Sequence, residues 1–491
     1  MCEHEDRVSG LSKEAAPPSE AETANKWTVL AIVAVGVFMA TLDASIVNIS
    51  LPKISSSFHV PLSGAVEWVI IAYLLVIASS LLTLGRLADM LGRKLLWVLG
   101  LSFFVLGSAL CGAAPSLLLL VAFRGVQGVG GGMIMAISPA MITRAFPASE
   151  RGRALGLNAM VVAAGTSAGP TLGGLITQAL TWRWIFYINL PIGIVGIIAT
   201  LRLLAEPMRP SRGNQRFDPI GAMLLSAGLT GLTLGMTFGQ EVGWRSIIIV
   251  GSFAAALILL TAFVINEKHV RQPIVDLSLL RNRLFSAAIV SSFLSFLALF
   301  AVVFLMPFYL EELLSLPPRQ AGLLLTAVPL TISLVAPLSG WLSDRLGSRL
   351  LSSLGLAIGS AGLWSLSNLT ARASAFDIVW PLVLTGFGQA LFQAPNNNAI
   401  MGSVPENRQG LASGFLATVR VLGQASSVAL TGAIFTSLGG AEAGAILSQM
   451  GALASGSVQE TFIQAFHFAL LTCMIIAAMG VFTSLSRGHA R

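Results

Sequence analysis

Fourteen long apolar stretches follow one another along this chain with only short polar breaks between them. They fall at about residues 27–50, 64–84, 95–113, 117–142, 153–178, 184–204, 218–238, 246–266, 285–309, 320–342, 350–368, 378–400, 410–436 and 463–485. Each is close to the ~20 residues that cross a bilayer as a helix. Hydrocarbon offers peptide groups no water, so helices are the form such runs take. Composition agrees: 10% of the residues are charged, against about 25% in soluble domains. A soluble enzyme, a disordered scaffold and a secreted disulfide protein are excluded. Cys2, Cys111 and Cys473 are in any case too few and scattered for a disulfide framework.

The charges give a direction. With the N-terminus placed in the cytoplasm, the 29 Lys and Arg sort into 22 cytoplasmic positions and five outer ones, Lys53, Arg183, Arg245, Arg319 and Arg372. Arg124 and Arg420 fall inside spans. This positive-inside bias supports an even span count with both termini cytoplasmic, and it reads the net charge of +7 as membrane topology rather than as nucleic-acid binding. Residues 1–26 carry six acids and Pro17-Pro18, too polar to bury a core, and read as a disordered cytoplasmic tail. They lack the basic-then-apolar order of a secretory signal, so the first run is expected to stay as a helix.

The chain repeats itself. Gly85-Arg-Leu-Ala-Asp-Met-Leu-Gly-Arg-Lys94 after the second run matches Gly340-Trp-Leu-Ser-Asp-Arg-Leu-Gly-Ser-Arg349 after the tenth, and Pro147, Gly152 and Gly156 match Pro405, Gly410 and Gly414. Runs 1–6 thus correspond to runs 9–14. The expected organisation is a six-helix bundle over 27–204, two inserted helices with linkers over 205–284, and a second six-helix bundle with a short tail over 285–491. Many secondary transporters are duplicated in this way, with a substrate site between the halves.

Four motifs in order, Leu42-Asp-Ala-Ser-Ile-Val-Asn-Ile-Ser-Leu-Pro52, the loop Gly85–Lys94, Arg124-Gly-Val-Gln-Gly128 and Gly165-Thr-Ser-Ala-Gly-Pro-Thr-Leu-Gly-Gly174, give a resemblance over about 27–485. The sequence resembles the major facilitator superfamily and, within it, the fourteen-helix drug:proton antiporters. That resemblance implies a multi-pass protein of the cell (inner) membrane which exports amphipathic or lipophilic, cationic drug-like compounds in exchange for protons. Export of an endogenous metabolite, antibiotic or lipid on the same fold is the alternative. A membrane-embedded enzyme or sensor is disfavoured, since no long loop supplies an output domain and only Asp43 and His467 hint at an intramembrane cluster. The partners are protons, a small molecule and the bilayer, and a monomer would suffice. No nucleotide-binding glycine loop, metal motif or cofactor site appears.

Asp43 is an acid deep in the first run, where a charge is tolerated only toward the bundle interior or water. It is read as the proton or substrate site, against a structural acceptor that holds the first run to a neighbour with Asn48 as a candidate partner. Arg124 is its candidate partner, and the resemblance associates this position with proton transfer; Gln127 is auxiliary. A structural arginine linking helices is the competing reading. In the loop, Gly85, Asp89, Gly92 and Arg93, with Asp344 in the second copy, form a candidate gate. Asp89 would accept from Arg93 or from a helix N-terminus, and Ser348 in place of Arg93 makes the second latch weaker. Gly165, Gly169 and Gly173 lie four apart and form a smooth packing face with Gly174 alongside; Pro170 should bend the helix. The resemblance links this motif to antiport. Glu67 and Glu311 stand near outer ends as weak candidates for cation attraction. The family often has Gln where Glu311 stands. Residues 320–342 carry no acid, so recognition of doubly charged cargo is not implied. Arg420 and His467 are left undecided between cavity and structural roles, and Asp218 is expected to cap the seventh run.

Overall fold

The computed structural model describes residues 25–60, 66, 68–204, 217–270, 273–275, 277–450 and 456–487. The tail to residue 24 and Glu67 lie outside the described residues. The helices, in order, are α1 (Lys26–Phe58), α2 (Trp68–Leu91), α3 (Arg93–Ala113), α4 (Leu117–Ala145), α5 (Arg151–Ala179), α6 (Trp184–Tyr187), α7 (Asn189–Leu203), α8 (Pro219–Val242) and α9 (Ile247–His269). They continue with α10 (Arg283–Phe308), α11 (Pro318–Leu325), α12 (Ala327–Leu346), α13 (Ser348–Ser367), α14 (Ala375–Gly402), α15 (Gln409–Ser437), α16 (Gly440–Met450) and α17 (Gly456–Leu485). Among the described residues, thirteen helices are long and apolar enough to cross a membrane, and α15, which qualifies together with the bent α16, brings the number to fourteen. The chain is an all-helical, multi-pass membrane protein.

Local chemistry sets many of the ends. Asn25 accepts from the Trp27 N–H at the start of α1, and Asp218 accepts from Ile220 and Gly221 while Pro219 fills the first position of α8. Ser374 and Asp377 cap α14 reciprocally. The breaks between α2 and α3 and between α12 and α13 fall on Gly92 (φ 100°) and Gly347 (φ 84°), equivalent positions of the repeat where only glycine turns without strain.

The helices differ from the apolar runs in three places. First, α1 continues to Phe58, well past residue 50, because a helix need not stop where the apolar run does. Second, the sixth run is interrupted at Ile188, between α6 and α7, and Pro191 stands in the first turn of the new helix, where a missing N–H does no harm. Third, the break before the last run holds α16, bent by 78° from α15, which is too short to register as a span.

Helix α4 packs on α1, α2 and α3, and α5 lies on α1; α13 packs on α14 and α17, and α10 on α15 and α17. Between these groups α5 crosses α12 and α2 crosses α15. Helix α8 lies along the α2–α15 seam, touching both, with Trp68 stacked on Phe238 at 5.4 Å. Outside it, α9 exposes Ile247, Ile248, Leu257 and Ile258, as expected of a helix facing lipid. The starts of α1, α5 and α15 and the end of α4 share one face. Lys26 pairs with Glu150 at 2.6 Å, Trp27 meets Phe146 at 5.4 Å, and Thr143 donates to Gln409 at 3.4 Å. These contacts mark out one end of the molecule, the latch face.

Candidate functional site

Asp43 and Arg124 are fully buried and paired at 2.5 Å. Asp43 lies about 26 Å along α1 from the latch face, counting 1.5 Å per residue. Arg124 comes from α4, which runs the other way. The guanidinium also donates to the Val69 carbonyl (2.8 Å) and to Gln127 (2.7 Å) and lies over the Tyr73 ring at 4.2 Å. The second carboxylate oxygen accepts from Gln127 (2.8 Å) and Asn189 (2.9 Å), both of which also donate to Ser108. One carboxylate therefore ties α1 to α4 and α7, and through Ser108 to α3. Glycines make the approach feasible: a methyl group at Gly128 would press on the Tyr73 carbonyl, and one at Gly131 on the Tyr73 hydroxyl.

The structure thus brings Asp43, Arg124 and Gln127 together. Sequence reasoning missed Asn189, Ser108 and Tyr73. Asn189 followed the Trp182-Arg183-Trp184 cluster, which reads as an interfacial belt, and a polar residue at a belt attracts no notice. The side chain of Asn48 lies outside the described residues. Chemically, the Asp43 carboxylate has two claimants. Arg124 satisfies it as an anion, and a proton would satisfy it as an acid and release Arg124.

On the latch face the two copies of the loop do equivalent work. Asp89 accepts from the backbone N–H groups of Gly410 and Leu411 (both 2.9 Å), the first turn of α15. Asp344 accepts from Gly152 (2.8 Å) and Arg153 (3.0 Å), the first turn of α5. Each anion sits where unpaired N–H groups and the helix dipole favour negative charge. Arg93 adds to the first latch: it lies 3.6 Å from Asp89 and donates to the Glu406 carbonyl (2.7 Å) and to Gln409 (3.4 Å) across the seam. Ser348 supplies no such arm, and Asp344 instead accepts from Asn398 at 3.3 Å.

The α5 motif packs against α1. A methyl group at Gly165 would run into Thr41, at Gly169 into Ser45 and at Gly173 into Ile46, whereas one at Gly174 would meet nothing within 4 Å. Gly174 therefore lies off the packing face, a correction to its expected role. The backbone stays helical through residue 170, and the side chain of Pro170 lies outside the described residues.

The other candidates scatter. Glu311 is exposed in a π-helical turn, Tyr309–Leu313, that ends α10. His467 contacts the Leu369 carbonyl at 3.0 Å, a helix-to-loop hydrogen bond. Just past α17, Arg487 is buried with one bond to Asn396, and burial pushes its pKa down to about 9, leaving it cationic at neutral pH. Arg420 reaches a slim cavity of about 30 Å3, bordered on one side by Val37, Ser138 and Asn158 of α1, α4 and α5 and on the other by Ser413 and Leu416 of α15.

Comparison with known proteins adds to this geometry. The family model described as "Major Facilitator Superfamily" matches residues 33–224 and 219–428. The riboflavin transporter RibZ of Clostridioides difficile is 36% identical over 84% of this chain and 88% of its own length. The multidrug resistance protein Stp of Mycobacterium tuberculosis is 34% identical over 84% of this chain and 76% of its own. The solved structure of the proton:xylose symporter XylE superposes with a TM-score of 0.64 at 13% identity, covering 93% of this chain and 94% of that one, which speaks to the fold alone.

Proposed function

The chain belongs to the major facilitator superfamily, and from that premise we propose that it is a proton-coupled antiporter that exports amphipathic or lipophilic drug-like compounds from the cytoplasm. The observation that carries this reading is the buried pair of Asp43 and Arg124. Burying two charges is expensive, and a structural link alone is served as well by apolar packing. A carboxylate that can exchange a cation for a proton is a reason to keep the pair.

In this reading a proton from outside neutralises Asp43, Arg124 turns to its remaining acceptors, Val69 and Gln127, and the bonds that hold α1 to α4 and α7 weaken. Helix α1 carries that change to α5 through the Gly165, Gly169 and Gly173 face. Residues 27–204 and 285–491 then rock as two bundles, with 205–284 bridging them along one seam. Asp89, Arg93 and Asp344 hold the latch face closed in the present arrangement, and Gly85 and Gly92 shape the first latch. The positive-inside bias makes the latch face cytoplasmic, with both termini there and the protein in the inner membrane. One proton crossing ~100 mV contributes about 2.3 kcal/mol from the potential alone. A single chain holds every part of this cycle.

The cation preference expected of the cargo finds less support. Both oxygens of Asp43 are engaged, Glu311 stands at a rim, and Glu67 lies outside the described residues. The RibZ relative, a riboflavin transporter by name, favours a metabolite as the second reading of the cargo.

The test is transport by the purified chain in liposomes under an imposed pH gradient, with a panel of fluorescent dyes. Dye movement opposite to the proton gradient and abolished by a protonophore is expected. Movement indifferent to both would reject antiport.

A further inference from the structure

Among the described residues Arg420 and Arg487 each have a shielded nitrogen without a partner and no ion pair, and of the two it is Arg420 that borders a cavity. Its Nε is shielded from solvent, and among the described residues it has neither a hydrogen-bond acceptor nor an ion-pair partner. The guanidinium lies over the ring of Phe296, its carbon 5.3 Å from the ring centre. Arg124 also has one nitrogen, Nη2, without a partner, but its other two have an acid, an amide and a carbonyl around them. Arg420 is half-buried with its Nε alone shut off from solvent, and a ring face returns only part of what that burial takes from a cation, so an anion reaching the two outer nitrogens would supply what the ring does not.

Its position gives that shortage a meaning. Arg420 lies eleven residues into α15, about 16 Å from the latch face and thus near mid-membrane. That is about 10 Å nearer the latch face than Asp43. The cavity it borders runs between the two bundles, where this architecture puts its cargo. Two more groups there face the same way chemically. Among the described residues the Ser413 hydroxyl is fully buried and without a partner, and Asn158 accepts one bond from Ser138 at 3.3 Å while its amide N–H group makes none. Among the described residues no Asp or Glu lines the cavity. One permanent cation with two further donors, and no acid, is a set built for an oxyanion. In the present closed arrangement the cavity has room for about two waters, so cargo would enter as the bundles part.

We propose that Arg420, with Ser413 and Asn158, is a specificity site for cargo bearing an anionic oxygen group, a carboxylate or an ionised phenol or enol. This rests on the transport reading above and replaces the cationic cargo that the family resemblance implies.

The test uses two dyes on one xanthene scaffold, fluorescein (anionic at pH 8) and rhodamine 6G (cationic), binding to the purified full chain in detergent by fluorescence polarisation. Tighter binding of fluorescein to the wild type is expected. Arg420→Ala should weaken fluorescein about tenfold and change rhodamine 6G less than about twofold, with Arg420→Lys between, since lysine keeps the charge without the planar fork. Rhodamine 6G bound more tightly by the wild type, no fluorescein binding up to ~1 mM, or equal loss of both dyes in Arg420→Ala would each overturn the proposal. The wild-type comparison decides even if the alanine variant does not fold. If fluorescein binding depends on Arg420 but a pH gradient drives neither dye in liposomes, antiport fails and the anion site stands.

Discussion

Gly85 of α2 and Gly410 of α15 cross so closely that a methyl group on either would enter the other's carbonyl. Gly340 and Gly152 do the same at the equivalent crossing of α12 and α5. One turn further, Gly414 meets Leu81 and Gly156 meets Ala336, again equivalent positions of the repeat. Each loop glycine of one copy is thus seated on the helix-start glycine of the other, and the aspartates four residues on complete the contact.

That crossing gives the first prediction. Gly85→Ala should push α2 off α15 and favour opening of the latch face. Overpacking of this kind costs about 1–3 kcal/mol, which moves a two-state equilibrium roughly 5- to 150-fold. Spin labels on the latch-face ends of α2 and α15 should show a longer mean distance. An unchanged distance distribution would mean that the crossing does not set the gate.

Asp89→Asn should act on the same equilibrium through charge. An amide has one acceptor oxygen for two N–H groups, turns a donor toward the other, and loses the attraction of the helix dipole. About 1–2 kcal/mol of closure is at stake. Turnover in liposomes should fall several-fold with cargo binding little changed. Asp344→Asn should have the smaller effect, because the second latch has Ser348 where the first has Arg93. An equal or larger effect at Asp344 would reverse that ranking.

Two glycines of one motif should respond in opposite ways. Gly169→Ala drives a methyl into Ser45 on α1 and should lower the melting temperature and transport together. Gly174→Ala meets open space in a helix interior, where alanine is favoured over glycine by about 1 kcal/mol. It should leave transport intact and raise the melting temperature slightly. A matching loss in both variants would place Gly174 on the packing face after all.

Much of this was legible before any coordinates. Apolar length fixes spans because hydrocarbon leaves the backbone no other partner, and a charge in such a span has to find company, which is why Asp43 and Arg124 stood out. Asn189 and Ser108 did not, because uncharged polar residues are common in spans and only the folded chain shows which of them share an oxygen. The facing of Gly174 was readable and misjudged: it sits one residue, 100° of helix, past a face repeating every four. Helix α16 escaped because an element of eleven residues cannot span and so leaves no long apolar run. That the Arg420 guanidinium meets no acceptor or acid among the described residues is a fact about neighbours, which no motif encodes.

The pair at the centre of the proposed cycle separates structure from coupling through a double substitution. Asp43→Asn alone leaves a buried guanidinium uncompensated, and Arg124→Gln alone leaves a buried carboxylate so. Each should cost about 3–5 kcal/mol of stability and abolish transport driven by a pH gradient. With both changes the site holds no charge, while Asn at 43 can still accept from Gln127 and Asn189. Stability in detergent should then return close to that of the wild type, a non-additivity characteristic of contacting residues. Transport should not return, because no group remains whose proton can be exchanged for Arg124. A double variant that recovered gradient-driven export along with its melting temperature would make the pair a structural strut and move proton coupling elsewhere in the molecule.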